Sequence, residues 1–156
     1  MSTVPTLEKV MVAEAVIEAP QQGTNGLGIY NVPSGTLTGD GFSAKIVPPS
    51  GDWSRMLSDT VIGLDVRLSA IMDDGSLIYI TYPGRVVLNE AIAPKAATGE
   101  EIDGSEMYFT TTPSVDTNSP NHMWMNDTMF VGQMQKVTFP TPEKNGYLRY
   151  EIYKIV

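Results

Sequence analysis

The sequence predicts an all-β protein, in its simplest form a closed or nearly closed antiparallel β-barrel. About eight to ten short apolar segments recur along the chain, separated by turns rich in Gly, Pro and Asn. Almost no segment favours a helix, which leaves a sandwich or a barrel as the architecture. We favour the barrel because several segments are apolar on both faces, and its lumen would offer a lipocalin-like cavity. The 156 residues suffice for a core of their own, so we expect a single domain over residues 1–156.

The N-terminal third predicts four short strands. The first segment alternates apolar side chains, and its valines favour a strand, although its Ala and Glu content would tolerate a helix. Gly39-Asp40-Gly41 interrupts a later strand pattern and indicates either a bulge or a hairpin turn. Pro48 to Gly51 is expected to be a loop, followed by a Gly51-Asp52-Trp53 turn in which Asp52 caps the turn. The predicted strands are Lys9–Glu18, Ile29–Val32, Thr36–Thr38 and Phe42–Val47.

The strongest local signal is a hairpin in the middle of the chain. Asp73-Asp74-Gly75 lies between two apolar runs, Thr60–Met72 and Leu77–Tyr82, and Asp-Gly between such runs favours a tight turn. A loop of two or four residues would place Tyr82 opposite Arg67. A loop of three residues with a bulge would bring Tyr79 onto the Arg67 face instead, because a slip of one residue exchanges the faces.

The C-terminal half predicts one short helical turn and four further strands. Pro94 limits the helical tendency of Ala91–Ala97 to a turn or two. Residues from Pro113 to Pro120 are expected to form a loop. The predicted strands are Glu106–Thr112, His122–Gly132, Gln133–Phe139 and Tyr147–Val156.

Composition excludes several classes of function. The formal charge of −8 and the absence of clustered Lys and Arg disfavour nucleic acid and anionic membranes as partners. No apolar run is long enough to span a membrane, and no signal peptide is recognisable. The chain has no cysteine, so a reducing compartment suits it, and we expect a cytoplasmic protein.

An ordered set of motifs resembles the domain-of-unknown-function family 3237. It comprises Gly35-Thr36 with Gly39 and Gly41, Gly51-Asp52-Trp53, Leu64-Asp65-Val66-Arg67-Leu68, Asp73-Asp74-Gly75 with Ile78-Tyr79, Gly84, Tyr108 to Pro113, and Met123-Trp124-Met125-Asn126. The resemblance covers about Gly26 to Gly132. It implies a compact β-barrel that often self-associates and works without a cofactor, with some members acting on natural products. Thr110 stands where the family usually has Arg, which implies a different ligand for this chain.

Asp65 and Arg67 are the first candidates for a site. They lie two residues apart on a predicted strand and therefore share a face. On a lumen face, the Arg67 guanidinium would polarise a substrate oxygen and Asp65 would orient it or move a proton. On the opposite face, the two residues would form a solvent-exposed or structural ion pair.

The remaining candidates are one histidine and a set of aromatic residues. His122 is the sole histidine and would suit proton transfer near neutral pH, although a lone loop histidine is more often incidental. With no cysteine available, we expect no metal site. Trp53, Tyr79, Tyr82, Tyr108, Thr110 and Trp124 are expected to line a substrate pocket, with ordinary core packing as the alternative.

The sequence therefore predicts a cofactor-independent enzyme that binds a hydrophobic, oxygen-bearing small molecule in the barrel lumen. Isomerisation, cyclisation, dehydration and cycloaddition fit this prediction, with Asp65, Arg67 and His122 as the catalytic residues. A non-catalytic carrier is the alternative, since a purely apolar lumen would favour binding alone. The third possibility is a structural protein that forms a homo-oligomer, the assembly state we expect.

Overall fold

Antiparallel strands dominate the computed structural model, which describes residues 3–156. One short helix, α1 (Ala93–Thr98), and two 3₁₀ segments, Gly104–Glu106 and Pro120–Asp127, lie between the strands. The described strands are β1 (Leu7–Ile17), β2 (Gln21–Gln22), β3 (Leu27–Asn31), β4 (Ser34–Gly39), β5 (Phe42–Met56), β6 (Val61–Met72), β7 (Leu77–Val87), β8 (Ile102–Asp103), β9 (Tyr108–Thr111), β10 (Ser114–Thr117), β11 (Phe130–Thr138) and β12 (Gly146–Ile155).

The strands close into an antiparallel barrel of eight strands. The ring runs β1, β4, β5, β6, β7, β9, β11 and β12, and β12 pairs back onto β1. The closing pair is long, extending from Leu7 opposite Ile155 to Ile17 opposite Gly146. The prediction of a closed barrel is therefore confirmed.

Alternation along each strand fills the barrel with apolar side chains. In β6, Val66, Leu68, Ala70 and Met72 point inward and are 5% exposed or less. Their neighbours point outward, because successive side chains on a strand face opposite sides. Burial of this kind contributes roughly 25 cal/mol for each Å² of apolar surface removed from water.

The central hairpin has the three-residue loop. Gly75 at φ +86° ends the turn, and the Gly75 amide donates to the Met72 carbonyl at 2.9 Å. β6 and β7 then pair so that Arg67 lies opposite Thr81 and Ser69 opposite Tyr79. Tyr79 therefore shares the face of Arg67, and Tyr82 faces the other way.

Strand β5 is longer than the sequence predicts. The segment from Pro48 to Gly51 is not a loop but an irregularity inside β5, where the pairing with β6 shifts between Val47 and Gly51. The Ser50 hydroxyl donates to the Val47 carbonyl at 2.8 Å and accepts from the Ser69 amide at 2.9 Å. These bonds supply contacts that the two prolines, lacking N–H groups, cannot make, so the strand continues through Met56.

The 3₁₀ segment Pro120–Asp127 covers one end of the barrel. The prediction of a strand over His122–Gly132 is wrong for its first half, since β11 begins only at Phe130. Met125 is buried beneath the segment, and Asn126 pairs with both backbone groups of Thr117 at 2.8 and 2.9 Å. We call this end the closed end.

Two smaller predictions are also settled. Gly39 pairs with Phe42, so Asp40-Gly41 is a two-residue hairpin turn, with Gly41 at φ +78°, rather than a bulge. The predicted loop from Pro113 to Pro120 contains a short strand, β10, which pairs with β7.

Candidate functional site

The end of the barrel opposite the closed end holds a cavity. Its volume is about 60 Å³, which is room for a few water molecules. Its walls are mostly aliphatic and aromatic, with a few polar groups among them. The lining residues include Ala15, Ile17, Val32, Ile62, Leu64, Val66, Leu68, Val86, Phe109, Val137 and Phe139, together with Tyr30, Asp52, Ser54, Tyr82 and Tyr150.

Asp52 brings a carboxyl group into this cavity from β5. It lies opposite Val66, an inward-facing residue, and its Oδ1 accepts a hydrogen bond from the Asp65 backbone amide at 3.0 Å. Burial raises the pKa of Asp52 to about 6, against the lowering effect of that hydrogen bond. Near neutral pH the group can therefore both accept and return a proton.

Three tyrosines surround the carboxyl group. Asp52 raises the pKa of Tyr30, Tyr82 and Tyr150 by its negative charge, although burial is the larger cause in each case. The Tyr82 and Tyr150 rings meet edge to face with centroids 5.8 Å apart. Their hydroxyls also affect each other's pKa, but no hydrogen bond of normal geometry joins them.

The Tyr150 hydroxyl stands out among these groups. It is buried, and it has no hydrogen-bond partner within residues 3–156. The ring is fixed on both sides, since Phe109 packs against it edge to face with centroids 5.7 Å apart. A buried hydroxyl without a partner is costly and rare, because the large majority of buried polar side-chain atoms in native structures are hydrogen-bonded.

The described lining of the cavity carries a negative charge and no positive charge. Among the described residues that line it, Asp52 is the one charged side chain, and no Lys, Arg or His is present. Residues 3–156 also contain no group of three His, Cys, Asp or Glu side chains placed to hold a metal ion. The cavity thus presents a carboxyl group, phenol hydroxyls and apolar walls.

Comparison with known proteins places this barrel in a family. The family model described as "Protein of unknown function (DUF3237)" matches residues 5–155. The chain belongs to this family. A UPF0311 protein of Rhodopseudomonas palustris is 28% identical over 117 residues, which cover 75% of this chain and 76% of that protein.

Solved structures share the same fold. A conserved protein of unknown function from Rhodopseudomonas palustris aligns over 100% of both chains with a TM-score of 0.84 and 21% identity. An enzyme from Penicillium herquei aligns over 100% of this chain and 98% of its own, with a TM-score of 0.61 and 18% identity. Identities this low establish the common barrel fold and nothing finer.

The Asp65 and Arg67 pair lies on the outer wall of the DUF3237 barrel, not in the lumen. Their side chains are 56% and 55% exposed, and their charged atoms are 3.6 Å apart. The Arg67 guanidinium lies over the Trp53 ring at 5.4 Å, and Trp53 is itself 38% exposed. The strand parity that turns Asp52 inward turns these three residues outward, so the solvent-exposed alternative is the one that forms.

Most of the other predicted pocket residues also face outward. Tyr108 is 59% exposed, Tyr79 lies opposite Ser69 on the outer wall, and Thr110 donates to the Gln133 side chain at 2.9 Å. The position where the family usually has Arg is thus on the outside of this barrel. Of the residues predicted to bind substrate, Tyr82 lies in the cavity.

His122 and Trp124 lie at the closed end, away from the cavity. The His122 Nδ1 is 3.0 Å from the Ser119 hydroxyl, which donates to Asp74 at 2.6 Å. Because that hydroxyl has a single proton, His122 donates to Ser119 and the chain of bonds fixes the turn. The Trp124 ring packs near Phe130, with centroids 6.2 Å apart.

Sequence reasoning missed Asp52, Tyr30 and Tyr150 as cavity residues. The sequence predicts Asp52 as a turn cap, because Pro48 and Gly51 interrupt the strand pattern of β5. Tyr150 lies between Leu148 and Ile152 on an apolar strand face, and a polar group interrupting such a face was the available signal.

Within the described chain, no helix is long and apolar enough to cross a membrane.

Proposed function

We propose that this barrel is a cofactor-independent acid–base enzyme that binds a hydrophobic, oxygen-bearing small molecule in its cavity. Asp52 is the proton-transfer group in this proposal, and it replaces the Asp65, Arg67 and His122 set that the sequence suggested. The observation that carries the proposal is a single half-buried carboxyl group among apolar walls, with three tyrosines of the same cavity near enough for its charge to raise their pKa values. Titratable groups with shifted pKa values in a cleft are candidates for function.

The geometry suits reactions that move one proton and reorganise bonds. Asp52, with a pKa of about 6, is mostly ionised at neutral pH and would act first as a base. The narrow cavity would hold a substrate in one orientation, and orientation is a large source of rate enhancement. Isomerisation, cyclisation and dehydration are reactions of this kind. That a structural neighbour is described as an enzyme accords with the proposal.

The test compares the wild-type protein with Asp52→Asn. Each is incubated with a small-molecule extract of the source organism, and the conversion of individual compounds is followed by mass spectrometry. We expect at least one compound to be converted by the wild type and not by Asp52→Asn. The matched control is Asp65→Asn, which changes an exposed carboxyl group on the adjacent strand and should leave that conversion intact.

A carrier without chemistry is the second candidate, favoured by the mostly apolar walls. A compound retained by the protein but left unchanged would support the carrier and contradict the enzyme. A conversion that proceeds equally in Asp52→Asn would contradict the role of Asp52. The cytoplasmic location and the homo-oligomeric state stay predictions from the sequence, and light scattering tests the second.

A further inference from the structure

The Tyr150 hydroxyl is the feature that defines the ligand more closely. It is held by its ring contacts with Tyr82 and Phe109, lies among the residues that line the cavity, and has no hydrogen-bond partner within the described chain. Tyr150 as a residue is 4% exposed. Burying a hydroxyl without a partner is unfavourable, so a ligand atom that accepts a hydrogen bond from it removes most of that cost.

We propose that Tyr150 donates a hydrogen bond to the carbonyl oxygen of a neutral ketone or enone, which the cavity binds as its substrate class. This inference rests on the proposed function and names the substrate of the same site. A tyrosine at neutral pH is a donor with its proton in place, and burial raises the pKa of Tyr150 well above its usual value. A carbonyl oxygen accepts without bringing a charge.

The charges of the cavity exclude an anionic ligand. Asp52 is the one charged side chain among the described lining residues, and the cavity holds no cation to pair with a carboxylate or phosphate. An anion would have to lose its water in an apolar site beside Asp52, and an unpaired buried charge is strongly disfavoured. Arg67, the cation that sequence reasoning assigned to a substrate oxygen, lies outside the barrel.

The two groups together would promote enolisation. The Asp52 carboxylate removes a proton from the carbon next to the carbonyl, and the electron pair of that C–H bond forms a C=C bond. The C=O π pair moves onto oxygen, where the hydrogen bond from Tyr150 strengthens as negative charge develops. Asp52 then returns the proton to another carbon of the same conjugated system, so the product is an isomer and nothing is oxidised or reduced. A carboxylate base combined with buried phenol donors is an established arrangement for this chemistry.

The experiment uses three probes of similar size: 2-cyclohexenone, its hydrocarbon counterpart cyclohexene, and benzoate. Their dissociation constants are measured by ¹H–¹⁵N NMR titration of the wild type, Tyr150→Phe and Tyr147→Phe. The control residue Tyr147 belongs to the same strand but lies on the outer wall, where its hydroxyl donates to Glu14 at 2.8 Å. The carbonyl stretch of bound cyclohexenone is recorded by infrared spectroscopy as an independent readout.

We expect the wild type to bind cyclohexenone at least fivefold more tightly than cyclohexene, and to leave benzoate unbound. In Tyr150→Phe the cyclohexenone affinity should fall to within about twofold of the cyclohexene affinity, while cyclohexene still binds and thereby reports an intact cavity. Tyr147→Phe should behave as the wild type. The carbonyl stretch should move to lower wavenumber on binding to the wild type and return in Tyr150→Phe.

Two results would overturn the inference. The first refutes the Tyr150 site alone, and the second also refutes the proposed function. If cyclohexene binds as tightly as cyclohexenone, or Tyr150→Phe keeps the preference and the infrared shift, the Tyr150 carbonyl site is refuted. The Asp52-dependent conversion then remains open to its own test. If none of the three probes binds, the cavity is not a small-molecule site, and the proposed function fails as well.

Discussion

Replacing Asp52 by Asn is expected to make the protein more stable at neutral pH. Burial raises the Asp52 pKa from 3.8 to about 6, so the folded state holds a proton that the unfolded chain has already released. Protonation of Asp52 therefore stabilises the folded state relative to the ionised form. This stabilisation is complete below pH 3.8 and is lost as the pH rises through 6. One pKa unit corresponds to about 1.36 kcal/mol, and a shift of about two units gives a penalty of about 3 kcal/mol above pH 7.

Asn removes the penalty while keeping the shape of the side chain. Its amide oxygen can still accept the hydrogen bond that Asp52 takes from the Asp65 amide at 3.0 Å. The difference in unfolding free energy between Asp52→Asn and the wild type should therefore be small at pH 4 and grow to at most about 3 kcal/mol at pH 8. Taking the difference cancels the other carboxyl groups, which titrate in both proteins.

The assay is urea unfolding of both proteins at pH 4, 5, 6, 7 and 8, with Asp65→Asn as the control. Asp65 is exposed on the outer wall, so its removal should give a difference that stays within about 1 kcal/mol across the series. A difference for Asp52→Asn that stays flat with pH would refute the raised pKa. A variant less stable than the wild type at pH 8 would refute the reasoning that the carboxylate is buried at a cost.

Three further predictions concern the rest of the barrel. Arg67→Ala should change the unfolding free energy by about 1 kcal/mol or less, because both of its contacts are exposed, and should leave ligand binding unchanged; a loss of binding would return Arg67 to the site. Gly35→Ala should lower the unfolding free energy measured in urea by about 3 kcal/mol, because the new Cβ would lie 2.2 Å from a backbone oxygen of β1. The control Gly75→Ala places its Cβ with no atom within 4 Å and should cost only roughly 1–2 kcal/mol, because its backbone is left-handed. Equal costs for the two variants would contradict this prediction. Ser119→Ala should destabilise the fold by about 1–3 kcal/mol, because the hydroxyl of this fully buried residue makes hydrogen bonds on two sides. Ser114 is exposed, so Ser114→Ala serves as the neutral control. Equal melting temperatures for the two variants would count against a fixed closed end.

The sequence predicts most of the strands and turns of the barrel. Alternating apolar residues with an Asp-Gly turn at Asp74-Gly75 predicted the central hairpin, because such turns depend on local backbone geometry, whereas Asp40-Gly41 fitted either a bulge or a hairpin turn. The segment after His122 was predicted wrongly. Met125 and Trp124 look like strand residues, but their partners across the closed end, such as Phe130, are set by tertiary packing that a local pattern does not contain.

The candidate site was less predictable than the fold. Asp65 and Arg67 were predicted as site residues because they are charged residues in an apolar run. Whether they face the lumen or solvent depends on which alternate residues of the strand point inward. Asp52 was overlooked because the two prolines before it suggested a loop. In both cases a sequence pattern gives the alternation correctly, while which of the two faces becomes the lumen is decided by pairing between β5 and β6.

The irregularity in β5 has a consequence for how this barrel tolerates insertions and deletions. Val47 pairs with Ser69, and the next pair is Gly51 with Arg67. Between these two pairs β5 advances by four residues and β6 by two. The surplus is an even number, and an even surplus leaves the alternation of side chains intact. Loss of one proline would make the surplus odd, and Asp52 would then keep its place opposite Val66 only if the remaining extra residue formed a β-bulge, in which two residues oppose one. Loss of both would remove the surplus and leave a regular alternation, so the inward direction of the Asp52 carboxyl group depends on the length of this segment as well as on residue identity.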